Sequence, residues 1–133
     1  MKLLIAAFLA GHALIHASYL SPAPAQTAVG PEWPFAMGRS WLVTGLHLEP
    51  RLVTSIGTLL VVSTMAVLLL AAVATLGIGI PGAWSPFLVA AGAGLSVATL
   101  GVFFHPWIIL GLVIDAALLW SVLIAGWVPS AGS

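Results

Sequence analysis

The sequence predicts an all-α protein, a four-transmembrane-helix bundle, and three observations carry that expectation. Of 133 residues, 62% are hydrophobic and only 5% charged, with a mean hydropathy of +1.22. A soluble domain needs several times that charge density to stay dispersed, so lipid must be the solvent for much of the surface. Next, apolar runs long enough to cross a hydrocarbon core of about 30 Å recur four times along the chain. Finally, tryptophans gather near the ends of those runs, as amphipathic rings do at membrane interfaces.

The first run, residues 3–20, is broken only by His12, His16 and Ser18. Lys2, the stretch Leu3–Ala10 and the small-residue set Ala23-Pro24-Ala25 also read as a cleavable signal peptide. Two histidines inside the run favour a retained helix. Residues 21–50 form the one sizeable polar connection, and Pro22, Pro24, Pro31 and Pro34 bar a long helix from its first part. Its later part, Arg39 to Leu48, suits a short helix lying in the interface with Trp33 and Trp41 as anchors.

The second span is expected at 51–76, with Pro50 in its first turn and the breaker cluster Gly77 to Gly82 at its end. The third runs over 84–104. Pro106 removes a backbone donor and disfavours helix at His105, so a tight turn there leads into a fourth span over 107–127. One kinked helix across Pro106 would be too long for a single crossing. The face holding the 21–50 loop is designated side A, and the opposite face side B. Trp33, Trp41 and Trp107 fall at side A, Trp84 and Trp127 at side B. Arg39 and Arg51 at side A nearly balance Lys2 and the terminal amine at side B, so the positive-inside rule assigns no orientation.

Composition also excludes. Net charge is zero and no basic stripe exists, so nucleic acid has no electrostatic footprint. With no cysteine there is no thiol redox chemistry and no thiolate-held cluster or haem. Phosphate-cradling glycine loops, nucleophile elbows and dinucleotide fingerprints are absent from the sequence.

The polar residues inside the spans carry the functional expectation. Asp115 sits near the middle of the fourth span, where a charged carboxyl costs about 2.5–3.5 kcal/mol on insertion scales. Such a residue either serves a ligand or joins helices through hydrogen bonds. His12 and His16 are four apart and share a helix face, which Tyr19 continues. An i,i+4 histidine pair either ligates a metal or hydrogen-bonds across helices; the zinc-protease glutamate is missing between them. All four histidines lie between the midplane and side A. The expected ligand site is therefore a pocket open to side A, floored by His12 and Asp115, walled by His16, lined by Tyr19, and rimmed by His105, Arg51 and His47. A transition metal would take His12, His16 and His105, or a histidine pair would hold haem. Ser55 and Thr58, on the face of Arg51, suit contacts between helices.

Ala90, Gly94 and Ala98, with Gly101 one turn on, form a small-residue face on the third span. Its commoner use is contact within one bundle; the other is a homodimer seam.

The segments Gly11-His12-Ala13-Leu14-Ile15-His16, Trp33-Pro34-Phe35, Ser40-Trp41-Leu42 and Phe104-His105-Pro106-Trp107, with Ile114-Asp115, resemble small uncharacterised bacterial four-helix integral membrane proteins. The resemblance covers nearly the whole chain. It implies the fold and a bacterial inner-membrane setting, and no activity. Three functions remain open on the sequence: a bundle whose His/Asp pocket binds a metal, haem or small ligand; an accessory or assembly subunit of a larger membrane complex; and a small oligomeric proton-coupled carrier.

Overall fold

The computed structural model describes residues 1–22 and 33–131. The proposed cleavage site Ala23-Pro24-Ala25, Pro31 and Glu32 lie outside the described residues. Among the described residues all regular secondary structure is helical, with α1 (Lys2–Ile15), α2 (Trp41–Thr44), α3 (Pro50–Leu76), α4 (Ser85–Val102) and α5 (Ile109–Leu123). Short 3₁₀ turns extend α1 to Leu20, precede α2 at Met37–Arg39, and lead into α4 and α5. Four helical stretches are long and apolar enough to cross a membrane: Lys2–Leu20, Pro50–Leu76, Gly82–Val102 and Pro106–Leu123.

Local chemistry sets the ends. Glu49 caps α3 by accepting from Leu52 N–H at 2.7 Å, with Pro50 in the first turn, where its missing donor costs nothing. Gly77 ends α3 in the left-handed region at φ 72°, which a side chain would resist. His105 is extended (φ −141°, ψ 142°), as a residue before proline prefers, and its Nδ1 accepts from Trp107 N–H at 3.2 Å. The tight turn expected at Pro106 is therefore built by His105 itself. α5 stops at Leu123, short of the expected 127, and Gly126 turns the chain at φ 66°. The short interfacial helix narrows to Trp41–Thr44. Ser40 caps it while donating to Val102 O at 2.7 Å, and Trp41 Nε1 donates to Gly101 O at 3.0 Å. These bonds pin the loop onto the side-A end of α4.

α3 is the central element, packed against α1 on one flank and α4 on the other, while α5 packs on α4. The exterior is as apolar as the interior: Leu4, Leu59, Phe87 and Leu110 are largely exposed, while Thr64, Thr75, Ser85, Ser96, Thr99 and Asp115 are fully buried. Water would reverse that arrangement; lipid tolerates it.

The small face of α4 that meets α3 is not the one expected. Gly94, Ala98 and Gly101 are exposed and Ala90 half-buried, whereas Gly92, Ala93, Ser96 and Thr99 are buried. Gly92 allows the approach, since a Cβ there would stand 2.6 Å from Leu68 Cδ2 and 3.4 Å from the Leu68 backbone nitrogen. Thr64 and Thr99 hydroxyls meet across the same seam at 3.2 Å. Gly92→Leu is expected to destabilise the bundle by about 1–3 kcal/mol through overpacking. Gly94→Leu, beside open space, should stay within about 0.5 kcal/mol of the parent. Unfolding in mixed micelles measures both, and equal losses would remove this account of the seam.

Candidate functional site

The site grows from the two midspan polar residues of α1 and α5. His12 and His16 fall on the inner face of α1, and the 3₁₀ turn that begins at His16 carries the same face on to Tyr19. From α5 only Asp115 and Leu118 are fully turned inward. Asp115 is completely buried, and His12 and His16 are nearly so.

Asp115 Oδ1 lies 2.8 Å from His12 Nε2, and its Oδ2 accepts from the Ser96 hydroxyl at 2.5 Å. Ser96 Oγ lies 2.9 Å from His16 Nε2. The result is one continuous chain, His12–Asp115–Ser96–His16, joining α1, α5 and α4. With Asp115 as a carboxylate, which only accepts, the Ser96 hydroxyl is the donor of their contact. In that state donor counting assigns the remaining protons. The single hydroxyl proton of Ser96 goes to Asp115, so His16 must donate from Nε2, and its neutral ring leaves Nδ1 as a bare acceptor. His16 Nδ1 is buried and has no hydrogen-bond partner.

Tyr19 repeats that condition one turn on. Its ring stacks on His16 (centroids 6.4 Å apart) and meets Phe35 edge-on at 5.1 Å and Phe103 at 5.8 Å. Yet its hydroxyl is buried without a partner. Both residues line a recess of about 170 Å³ between α1 and the first half of α5, with His12, Phe35, Trp107, Gly111 and Ile114 among its walls. Unpaired buried polar atoms are rare in folded proteins, because each forfeits its hydration without replacement. Of the buried side-chain atoms without a partner among the described residues, His16 Nδ1 and the Tyr19 hydroxyl belong to residues lining this recess, whereas Trp33 Nε1 and Ser85 Oγ belong to residues that do not.

Of the residues expected at the site, His12, His16 and Asp115 are brought together and Tyr19 lines the adjoining recess. The rim is not assembled there. His105 is committed to its own turn and faces a separate recess with Trp33, Arg39 and Ser40. Arg51 lies exposed in the first turn of α3, and His47 lies exposed at a left-handed turn, φ 55°. The metal set His12, His16 and His105 is therefore not gathered. Among the described residues no three His, Cys, Asp or Glu side chains are grouped to hold a metal ion. Ser55 and Thr58 are exposed, and Thr58 bonds back to Thr54 O within its own helix.

Ser96 is the member that sequence reading missed. Its signal was available: Gly92 and Ser96 are four apart, a second small-residue pair beside 90/94/98, and only this one carries a hydroxyl that lipid would leave unsatisfied. Compared with protein-family models, curated proteins and solved structures, the chain matches none of them.

Proposed function

We propose that this protein is a membrane-embedded binding bundle for a small neutral ligand that carries a hydroxyl group. One observation carries the reading: His16 Nδ1 and the Tyr19 hydroxyl are both buried, both unpaired, and both belong to residues lining one recess. The acceptor state of Nδ1, set by Ser96 and Asp115, asks for a donor from the ligand. Tyr19 then gives or takes a second bond. Few polar groups converging in an otherwise apolar recess is the usual make-up of a small-molecule site. The size of the recess and the commitment of both Nε2 atoms to protein partners favour a small organic molecule over a metal or haem.

Phenol is the probe, titrated into the purified full chain in phosphatidylcholine nanodiscs, with the ¹⁵N resonance of His16 Nδ1 as the readout. A saturable shift towards the hydrogen-bonded position is expected. Tyr19→Phe should weaken phenol binding about tenfold, the equivalent of one hydrogen bond. Its stability should be unchanged or higher, since the hydroxyl it removes has no partner in the free protein. An unmoved Nδ1 resonance would sink the reading, as would a Tyr19→Phe protein that binds like the parent but unfolds more easily.

A second reading concerns a partner, and a specific observation favours it. Gly94, Ala98 and Gly101 form a small-residue stripe on the outside of α4, with open space beyond both glycines. We propose that a second copy of the chain packs on it together with Ala90, in the close-backbone manner of membrane helix pairs. Energy transfer between labelled copies in vesicles should report dimers that Gly94→Leu weakens at least about tenfold without unfolding the monomer. A monomeric parent, or a Gly94→Leu dimer of undiminished strength, would remove this partner.

A further inference from the structure

The face of α5 turned towards α1 does not end at the polar chain. Towards side B, Ala117 and Ser121 stand four apart on α5, with Ala125 just beyond the helix end, and share a lining with Leu4 and Phe8 of α1. Small residues at that spacing normally let two helices close up. Here the two backbones stand farther apart than the other neighbouring pairs, and a shallow apolar groove of about 650 Å³, widely open to the exterior, runs along them. Trp127 stands at its side-B end. Ile114 lines both the recess and this apolar space, and the His12–Asp115 bond crosses from α1 to α5 between their levels.

We propose that the ligand is a single-chain amphiphile with a neutral hydroxyl head, its head hydrogen-bonded to His16 Nδ1 and Tyr19 and its hydrocarbon tail lying in the α1/α5 groove towards side B. The inference rests on the small-ligand reading above and adds the tail and the class of head. Three features select this occupant. No lysine or arginine lines the recess or the groove, and the Asp115 carboxylate stands behind the recess, so an anionic head is disfavoured. The bare Nδ1 requires a donor, which an alcohol or phenol provides and an ester or ketone does not. From the level of His16 to that of Leu4 is twelve residues of helix, roughly 18 Å at 1.5 Å per residue. That is the reach of one extended chain. A second copy's helix, about 10 Å across, would fill the groove but leave the recess atoms unpaired.

The test uses the full chain in phosphatidylcholine nanodiscs, with ligand expressed as membrane mole fraction so that bulk partitioning cancels. The probes are phenol, 4-decylphenol, farnesol, decylbenzene and 4-decylbenzoate. His16 ¹⁵N reports the head. The tail is reported by a bimane on Ser121→Cys, a clean label because the chain has no cysteine of its own. We expect 4-decylphenol, farnesol or both to move the two signals together and to bind about tenfold more tightly than phenol. A response to farnesol alone assigns an aliphatic alcohol, and one to 4-decylphenol alone a phenol. Decylbenzene and 4-decylbenzoate should leave His16 unmoved. Ala117→Trp, which fills the groove, should abolish the tenfold advantage while the phenol response survives. Long-chain probes binding no better than phenol, or a silent bimane beside a responding His16, would overturn the tail and leave the small-ligand reading standing. A benzoate that binds as well as the phenol would overturn the head. If no probe moves His16, both readings fall.

Discussion

Replacing His12 by leucine is expected to destabilise the folded bundle by about 3–5 kcal/mol, and adding Asp115→Leu is expected to restore most of that loss. The reason lies in what each variant leaves behind. His12→Leu strips Asp115 Oδ1 of its 2.8 Å partner and strands a carboxyl at the centre of an apolar assembly. Asp115→Leu alone strands the His12 N–H and the Ser96 hydroxyl instead. The double variant removes both ends of the pair and fills the space with methyl groups, which a buried pair often tolerates well. The size of the effect separates two accounts of the contact. An interhelical hydrogen bond in a membrane protein averages only about 0.6 kcal/mol, so a coupling several times larger identifies a mutually neutralising pair. Reversible unfolding of the four proteins in mixed micelles measures that coupling. Strict additivity of the two single losses would show that His12 and Asp115 do not depend on one another.

That pair was legible in the sequence because lipid makes it so. A carboxyl at the midpoint of a span is costly in any orientation but one, and the histidines at the same depth were the available partners. The helical frame was legible for a similar reason: apolar length, Pro50, the Gly77 break and the Pro106 turn each act locally. What the sequence hid was rotation about the helix axis. α4 carries two four-spaced small sets, and spacing alone does not say which faces α3; the Gly92–Leu68 approach and the Thr64–Thr99 bond decide it. Ser96 was lost with that choice, and with it the link from Asp115 to His16. His105 meets the rim in depth but not in direction. It lies at side A as expected, but its ring turns back to cap its own segment. The groove between α1 and α5 was hidden as well, since Ala117, Ser121 and Ala125 announce close packing and the fold leaves them facing a gap.

Asp115→Asn is expected to invert the ligand preference of the recess by reversing every proton in the chain that reaches it. In the parent, the carboxylate accepts from Ser96, Ser96 accepts from His16 Nε2–H, and Nδ1 is left as an acceptor. An asparagine keeps the shape but brings an NH₂ group to the position of Oδ2, while its carbonyl still accepts from His12. The NH₂ donates to Ser96 Oγ, which turns its own proton towards His16 Nε2. His16 must then carry its proton on Nδ1, and the recess presents a donor where it presented a lone pair. Phenol and its alkyl derivatives should bind at least about tenfold more weakly, and cyclohexanone, which only accepts, should gain a comparable factor. The ¹⁵N spectrum reads the cause independently of binding: the two ring nitrogens of His16 should exchange their protonated and unprotonated shifts. Because His12 Nε2, Ser96 Oγ and His16 Nε2 each keep a hydrogen-bond partner, stability should fall less than in His12→Leu. A weakened phenol response with the tautomer unchanged would mean that Asp115 acts on the recess through packing alone. An unchanged phenol affinity beside an exchanged tautomer would show that Nδ1 never touches the ligand.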